Sequence, residues 1–155
     1  MHKEFVSPTP TADSDDRFRR GLDILFGMSS KKTDILTSRL AEVAPDFARL
    51  TIEFAFGAIF ARDVLDMRAR ELIAVSVLTA RGDAPAALRA HVASALNFGI
   101  SQAEVVETMM QVSIYAGFPV VINALTECHD LLTSAADSEC ASCPDPVQRA
   151  EVGQV

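Results

Sequence analysis

Residues 57–124, GAIFARDVLDMRARELIAVSVLTARGDAPAALRAHVASALNFGISQAEVVETMMQVSIYAGFPVVINA, decide the fold, because each apolar repeat in them has a readable start and stop. Asp66 is placed to accept the first amide hydrogens of a helix through Glu71, Leu72, Val75, Val77 and Leu78, and Gly82 ends it. Asp83 is placed to cap the next helix, with Pro85 tolerated in its first turn. Leu88, His91, Val92, Ala95 and Leu96 lie on one side of that helix before Gly99. Ser101 and Glu104 form a Ser-x-x-Glu capping box at the head of a third helix, which runs through Val105, Val106, Met109, Val112 and Ala116 to Gly117. Pro119 opens a last helix with Val120, Ile122, Leu125, Leu131 and Leu132.

Upstream the same periodicity continues. A helix starting near Ser14 and Asp15 carries Phe18, Leu22, Leu25 and Phe26 and ends at Gly27. Thr33 is placed to cap a second, with Ile35, Leu36, Leu40 and Val43 on one face and Pro45 closing it. Pro45 also suits the first turn of a third, in which Phe47, Leu50, Phe54 and Ile59 form an apolar run that Gly57 interrupts or ends. No alternating run long enough for a sheet occurs, so the predicted class is all-α, with about six to seven helices. Residues 14–136 read as one helical domain between a flexible lead, 1–13, and a polar, proline-containing tail, 137–155.

Composition narrows the function classes. The chain has 155 residues, 49% of them hydrophobic, with a mean hydropathy of +0.20, so part of its apolar surface is expected to be covered by further subunits. A formal net charge of −7 and a pI near 4.9 argue against a nucleic-acid partner, because phosphate binding wants clustered Lys and Arg. Charges recur every turn or two, so no membrane span is expected, and the N-terminus lacks the apolar core of a secretory signal. The expected compartment is the cytoplasm. Cys128, Cys140 and Cys143 are odd in number and late in the chain, which is no disulfide framework; they read as thiols.

The order Phe56-Gly57, Arg62, Leu65, Arg70-Glu71-Leu72, Leu88-x-x-His91, Ala95, Gly99, Glu104, Tyr115-Ala116-Gly117-x-Pro119 and Asn123-Ala124 resembles the carboxymuconolactone decarboxylase family, of the alkylhydroperoxidase D-like fold. The resemblance covers roughly residues 17–133 and implies a helical bundle that assembles as trimers or as hexamers. The family's peroxidase branch carries a Cys-x-x-Cys pair, then His after three residues, with Glu upstream. His91 matches that His and Glu71 the Glu, but the two sulfur positions fall on Ala84 and Ala87. Thiol chemistry at that place is therefore not expected. In the decarboxylase branch a His stands two residues before the aromatic-Gly pair, where this chain has Phe54, so the substrate does not follow from the family.

The reaction that the resemblance implies needs no cofactor and no metal. When a butenolide bearing a carboxylate at its γ carbon loses carbon dioxide, the electrons flow onto the lactone carbonyl, so the small-molecule substrate is its own electron sink. The protein binds carboxylates, steadies the oxyanion and returns a proton to carbon. His91 and Glu71 are the candidate catalytic residues. Arg62 and Arg70 are the candidate carboxylate clamp, and Tyr115 and Phe54 are further candidates for substrate contact.

Structural readings stand beside these. His91 can be a core histidine, Arg70 and Glu71 a surface charge pattern, Arg62 a tie between subunits, and Tyr115 a filler at a helix interface. Met109 and Met110 read as packing, and Asn123 is a weaker candidate for a pocket donor. Two rival functions remain. One is thiol peroxidase chemistry by Cys140 and Cys143, which together with Cys128 and His129 could alternatively hold zinc; the other is a non-catalytic ligand-binding oligomer.

Overall fold

The computed structural model of the chain describes residues 12–28 and 33–134, and all the regular structure among them is helical. Helix α1 (Ala12–Gly27) is followed by α2, wound as a π-helix over Ile35–Arg39 and as an α-helix over Leu40–Val43. Helix α3 begins at Pro45 as an α-helix (Pro45–Thr51) and continues as a π-helix (Ile52–Phe60). Then come α4 (Met67–Arg81), α5 (Pro85–Asn97), α6 (Gln102–Ala116), α7 (Phe118–Glu127) and α8 (His129–Thr133).

The caps are mostly those the sequence predicts. Asp66 Oδ1 accepts from the Ala69 amide at 2.7 Å, and Gly82, at φ 68°, closes α4 in the left-handed conformation. At the head of α6 the Ser101 hydroxyl accepts from the Glu104 amide at 3.3 Å, while the Ser101 amide donates to the Glu104 carboxylate at 3.0 Å. Three expectations need correction. Asp83 does not cap α5: Ala84 holds the cap position, and the Asp83 carboxylate turns back to receive the Arg81 guanidinium, 3.1 Å at each oxygen. The predicted last helix is two, broken at Cys128, where Arg89 donates to the Glu127 carbonyl and pairs with the Asp130 carboxylate at 2.7 Å.

Gly57 neither ends nor interrupts α3. It lies buried within the π-wound turns, which carry the helix on to Phe60. The physical need for glycine is contact with α1: a Cβ on Gly57 would stand 2.0 Å from the Arg17 carbonyl oxygen, and one on Gly21 would stand 2.5 Å from that of Ile52. The two backbones therefore touch at a crossing from which side chains are excluded.

Among the described residues two apolar cores result. Leu25, Met28, Ile52 and Phe56 form the first, between α1 and α3. The second is larger and gathers Val75, Leu88, Val92, Ile100, Val105, Met109, Val121 and Cys128 from α4 to the break before α8. Met109 is in that core, while Met110 is half exposed. Met67 of α4 and Phe98 at the end of α5 pack against the first core, and Asn97 Nδ2 donates to the Met28 carbonyl at 3.2 Å. No described helix is long and apolar enough to cross a membrane.

Gly57→Ala is expected to abolish folding or to lower stability by more than about 3 kcal/mol, the scale of severe backbone and packing conflicts. Gly27→Ala, whose added methyl meets nothing within 4 Å, is expected to be neutral or slightly stabilising. Denaturant melts of the two variants check this. A pH dependence also follows from the capping box and from the tie to α8. The amide and hydroxyl of Ser101, with Arg68 beside them, hold the Glu104 carboxyl down at about 2, and the Arg89 guanidinium does the same to Asp130. Both folded values lie below the ordinary range, so this stabilisation is complete above about pH 4.5 and is lost as pH falls towards 2. The denaturation midpoint is expected to drop across that window, and less steeply in Asp130→Asn.

Candidate active site

Glu71 and His91 meet where α4 packs on α5. The buried face of α4 is Glu71, Val75 and Thr79, spaced i, i+4 and i+8, and it turns a carboxylate inward with the aliphatic residues. On α5 the buried row Leu88, Val92 and Ala95 carries His91 beside it. His91 Nδ1 lies 2.8 Å from Glu71 Oε2; the Glu71 side chain is wholly buried and the imidazole 18% exposed. An isolated carboxylate at that depth would cost several kcal/mol, so the contact explains how glutamate is tolerated there. With Nδ1–H donating to the carboxylate, the ring orientation is held from behind and Nε2 lies on the opposite side of the ring.

The other candidates are placed differently. Arg70 does not point its Nε or Nη2 at an open space: Nε donates to the Leu65 carbonyl at 3.0 Å and Nη2 to the Arg62 carbonyl at 2.7 Å, with the guanidinium 5.7 Å from the centre of the Phe60 ring. Carbonyls just beyond the end of α3 lack helical partners, and a nearby arginine supplies them. Arg70 thus meets Arg62 through the backbone of the connection between α3 and α4, where the Arg62 side chain is exposed. Phe54 and Tyr115 lie on the surface, 68% and 82% exposed.

Tyr115 lines an open groove of about 510 Å³ between α4 and α6. Leu72 and Ser76 form one side of it, and Glu107, Gln111 and Tyr115 follow one another at four-residue spacing along the other. The sequence shows that spacing on α6, but only the packing of α4 beside it makes a groove. His91 is not among the residues lining this groove.

Sulfur chemistry finds no support among the described residues. Cys128 is fully buried, and burial pushes its thiol up to about 11, which leaves it protonated near neutrality. The described residues hold no group of three or more His, Cys, Asp or Glu suited to a metal. Cys140 and Cys143 lie outside the described residues.

The sequence matches the description "Carboxymuconolactone decarboxylase family" over residues 45–129, a span that includes Phe54, Arg62, Arg70, Glu71, His91 and Tyr115. It is 28% identical over 108 residues to a protein of Acinetobacter baylyi named 4-carboxymuconolactone decarboxylase, covering 69% of this chain and 80% of that one. It is also 32% identical over 87 residues to an uncharacterised 15.0 kDa protein from the nqo9–nqo10 intergenic region of Paracoccus denitrificans, covering 56% of this chain and 65% of that one.

The pairing of Glu71 with His91 has a stability signature. His91→Ala leaves a buried carboxylate without its imidazole, and the expected loss is roughly 2–4 kcal/mol, at the low side for buried pairs because the ring is partly exposed. Adding Glu71→Gln to that variant is expected to cost less than the sum of the two single changes. A double-mutant cycle by chemical denaturation measures the difference.

Proposed function

The chain belongs to the carboxymuconolactone decarboxylase family, and on that footing we propose that it is a cofactor-independent carboxy-lyase acting on a small carboxylated lactone or a related enolisable acid. The observation that carries the reading is the 2.8 Å contact between a buried carboxylate and a partly exposed imidazole. In this mechanism Glu71 holds the ring, and the nitrogen remote from it, Nε2, serves the substrate.

The substrate loses its γ-carboxylate as carbon dioxide, and the bonding electrons pass through the ring double bond to the oxygen of the lactone carbonyl. His91 as the imidazolium, with Nδ1–H on Glu71, stabilises the oxyanion through Nε2–H or passes that proton to carbon, and water then returns a proton to the ring; general acid catalysis of this kind contributes about 10²–10⁴-fold. Arg62 holds a second carboxylate. Arg70 secures the connection that bears Arg62, so its contribution to binding is through position.

The outward placement of Phe54 and Tyr115 bears on assembly. Ile73, Val77, Met110, Ile114, Phe118 and Ile122 are also at least half exposed, on the same half of the chain as Tyr115. Surfaces of this apolar character are covered in stable proteins. In the proposed assembly, a trimer or hexamer of identical chains, a neighbouring copy covers these residues and encloses the substrate; the chain works in the cytoplasm on a small molecule.

Turnover of 4-carboxymuconolactone and related γ-carboxylated butenolides by the purified protein tests the reading. His91→Ala is expected to lower kcat by about 10²–10⁴-fold and Glu71→Gln by a smaller factor. Sedimentation of the same preparation is expected to show more than one chain per particle. Full turnover by His91→Ala on a substrate that the wild type consumes would overturn the assignment.

A further inference from the structure

Helix α3 turns an apolar stripe outward. Phe47, Leu50 and Phe54, spaced by three and then four residues, are 61%, 58% and 68% exposed, while Ile52 and Phe56 on the other side of the helix lie in the core with Leu25 of α1. Val43, 84% exposed at the corner before α3, adds a fourth apolar side chain. Apolar residues alternating at three and four along a helix make a narrow seam on which a second helix seats. The charges near the seam are drawn away from it. Arg49 Nε bonds the Glu53 carboxylate at 2.6 Å, its guanidinium lies over the Phe18 ring of α1 at 4.5 Å, and the Glu53 side chain is mostly buried. Asp46 remains as an exposed acid beside the stripe.

We propose that this stripe is a two-fold interface between two copies of the chain, with α3 lying antiparallel to α3 of the second copy. When the axis passes between Leu50 and Thr51, Phe47 comes level with Phe54 of the second copy, and the two Leu50 side chains meet beside the axis. Asp46 then comes level with Ala55, so the exposed acid is not set against another acid. The stripe is thus complementary to itself, which is what a two-fold contact requires. Its area also fits. The four side chains expose about 450 Å² of apolar surface per copy, and a standard interface buries about 800 Å² on each side, about 57–65% of it apolar. The inference takes from the assembly proposed above only that identical chains associate, and it is independent of the Glu71–His91 chemistry. Because every copy pairs through α3, the number of chains in the particle is even, which selects the hexamer over the trimer.

Cross-linking and sedimentation of the full-length protein test the proposal. In a background of Cys140→Ser and Cys143→Ser, Leu50→Cys is expected to give a disulfide-linked dimer on mild oxidation, because only a residue beside a two-fold axis meets its own copy. Asp23→Cys, at an exposed position on α1, is expected to stay unlinked. Wild type is expected to sediment as an even number of chains. Phe47→Glu is expected to halve that mass with an unchanged circular-dichroism spectrum, and Phe47→Leu to keep it. An odd number of chains, a Leu50→Cys variant that links no more than Asp23→Cys, or Phe47→Glu at the wild-type mass overturns the pairing through α3 and leaves the association of identical chains standing. A monomeric wild type overturns both.

Discussion

A carboxylate that is wholly out of solvent constrains the rest of this structure. Glu71 occupies a place on α4 that Val75 and Thr79 mark as interior, and the energy of leaving an ionised group there alone would rival the stability of a small domain. The imidazole of His91 meets it at 2.8 Å, so α4 and α5 must pack in the register that brings those two residues opposite one another. The caps on either side serve that register. Asp66 sets where α4 begins and Gly82 where it ends, while Arg89, two residues before His91, ties α5 to the break before α8. A polar pair in a packed interior thereby gains a fixed geometry.

The first half of the chain is built on a different constraint. Where α1 crosses α3, Gly21 and Gly57 let backbone meet backbone, and π-winding over Ile52–Phe60 carries Ile52 and Phe56 into a core with Leu25 and Met28. Side chains from α4 and from the end of α5 reach that core: Met67 and Phe98 by packing and Asn97 by a hydrogen bond to Met28. Arg70 reinforces the junction by holding the carbonyls of the connection between α3 and α4. A guanidinium next in sequence to Glu71 thus links the backbone leaving one half to the helix that begins the other.

The surface explains the apolar composition. Phe54, Ile73, Val77, Ile114, Tyr115 and Phe118 lie outside both cores, each more than half exposed, so the hydrophobic content that the sequence displays exceeds what one chain buries. Of these, Tyr115 lines the open groove between α4 and α6, with Glu107 and Gln111 on its wall. Its lining shares no residue with the smaller cavity beside Thr79, which lies between the end of α4, the start of α5 and the side of α7.

The all-helical class and most helix limits were legible in the residues themselves, because Asp66, Ser101, Glu104, Gly82 and Gly117 act through bonds to their own near neighbours. The candidacy of Glu71 and His91 was legible as well, through their residue types and their order in the family pattern. Their contact, twenty positions apart, belongs to the packing of α4 on α5. Tertiary structure alone decided that Gly57 lies at a helix crossing and that Thr79 borders a cavity. The reason is one of range: a cap is settled within four residues of chain, whereas a buried charge, a backbone crossing or an unpartnered hydroxyl is defined by what another helix brings against it.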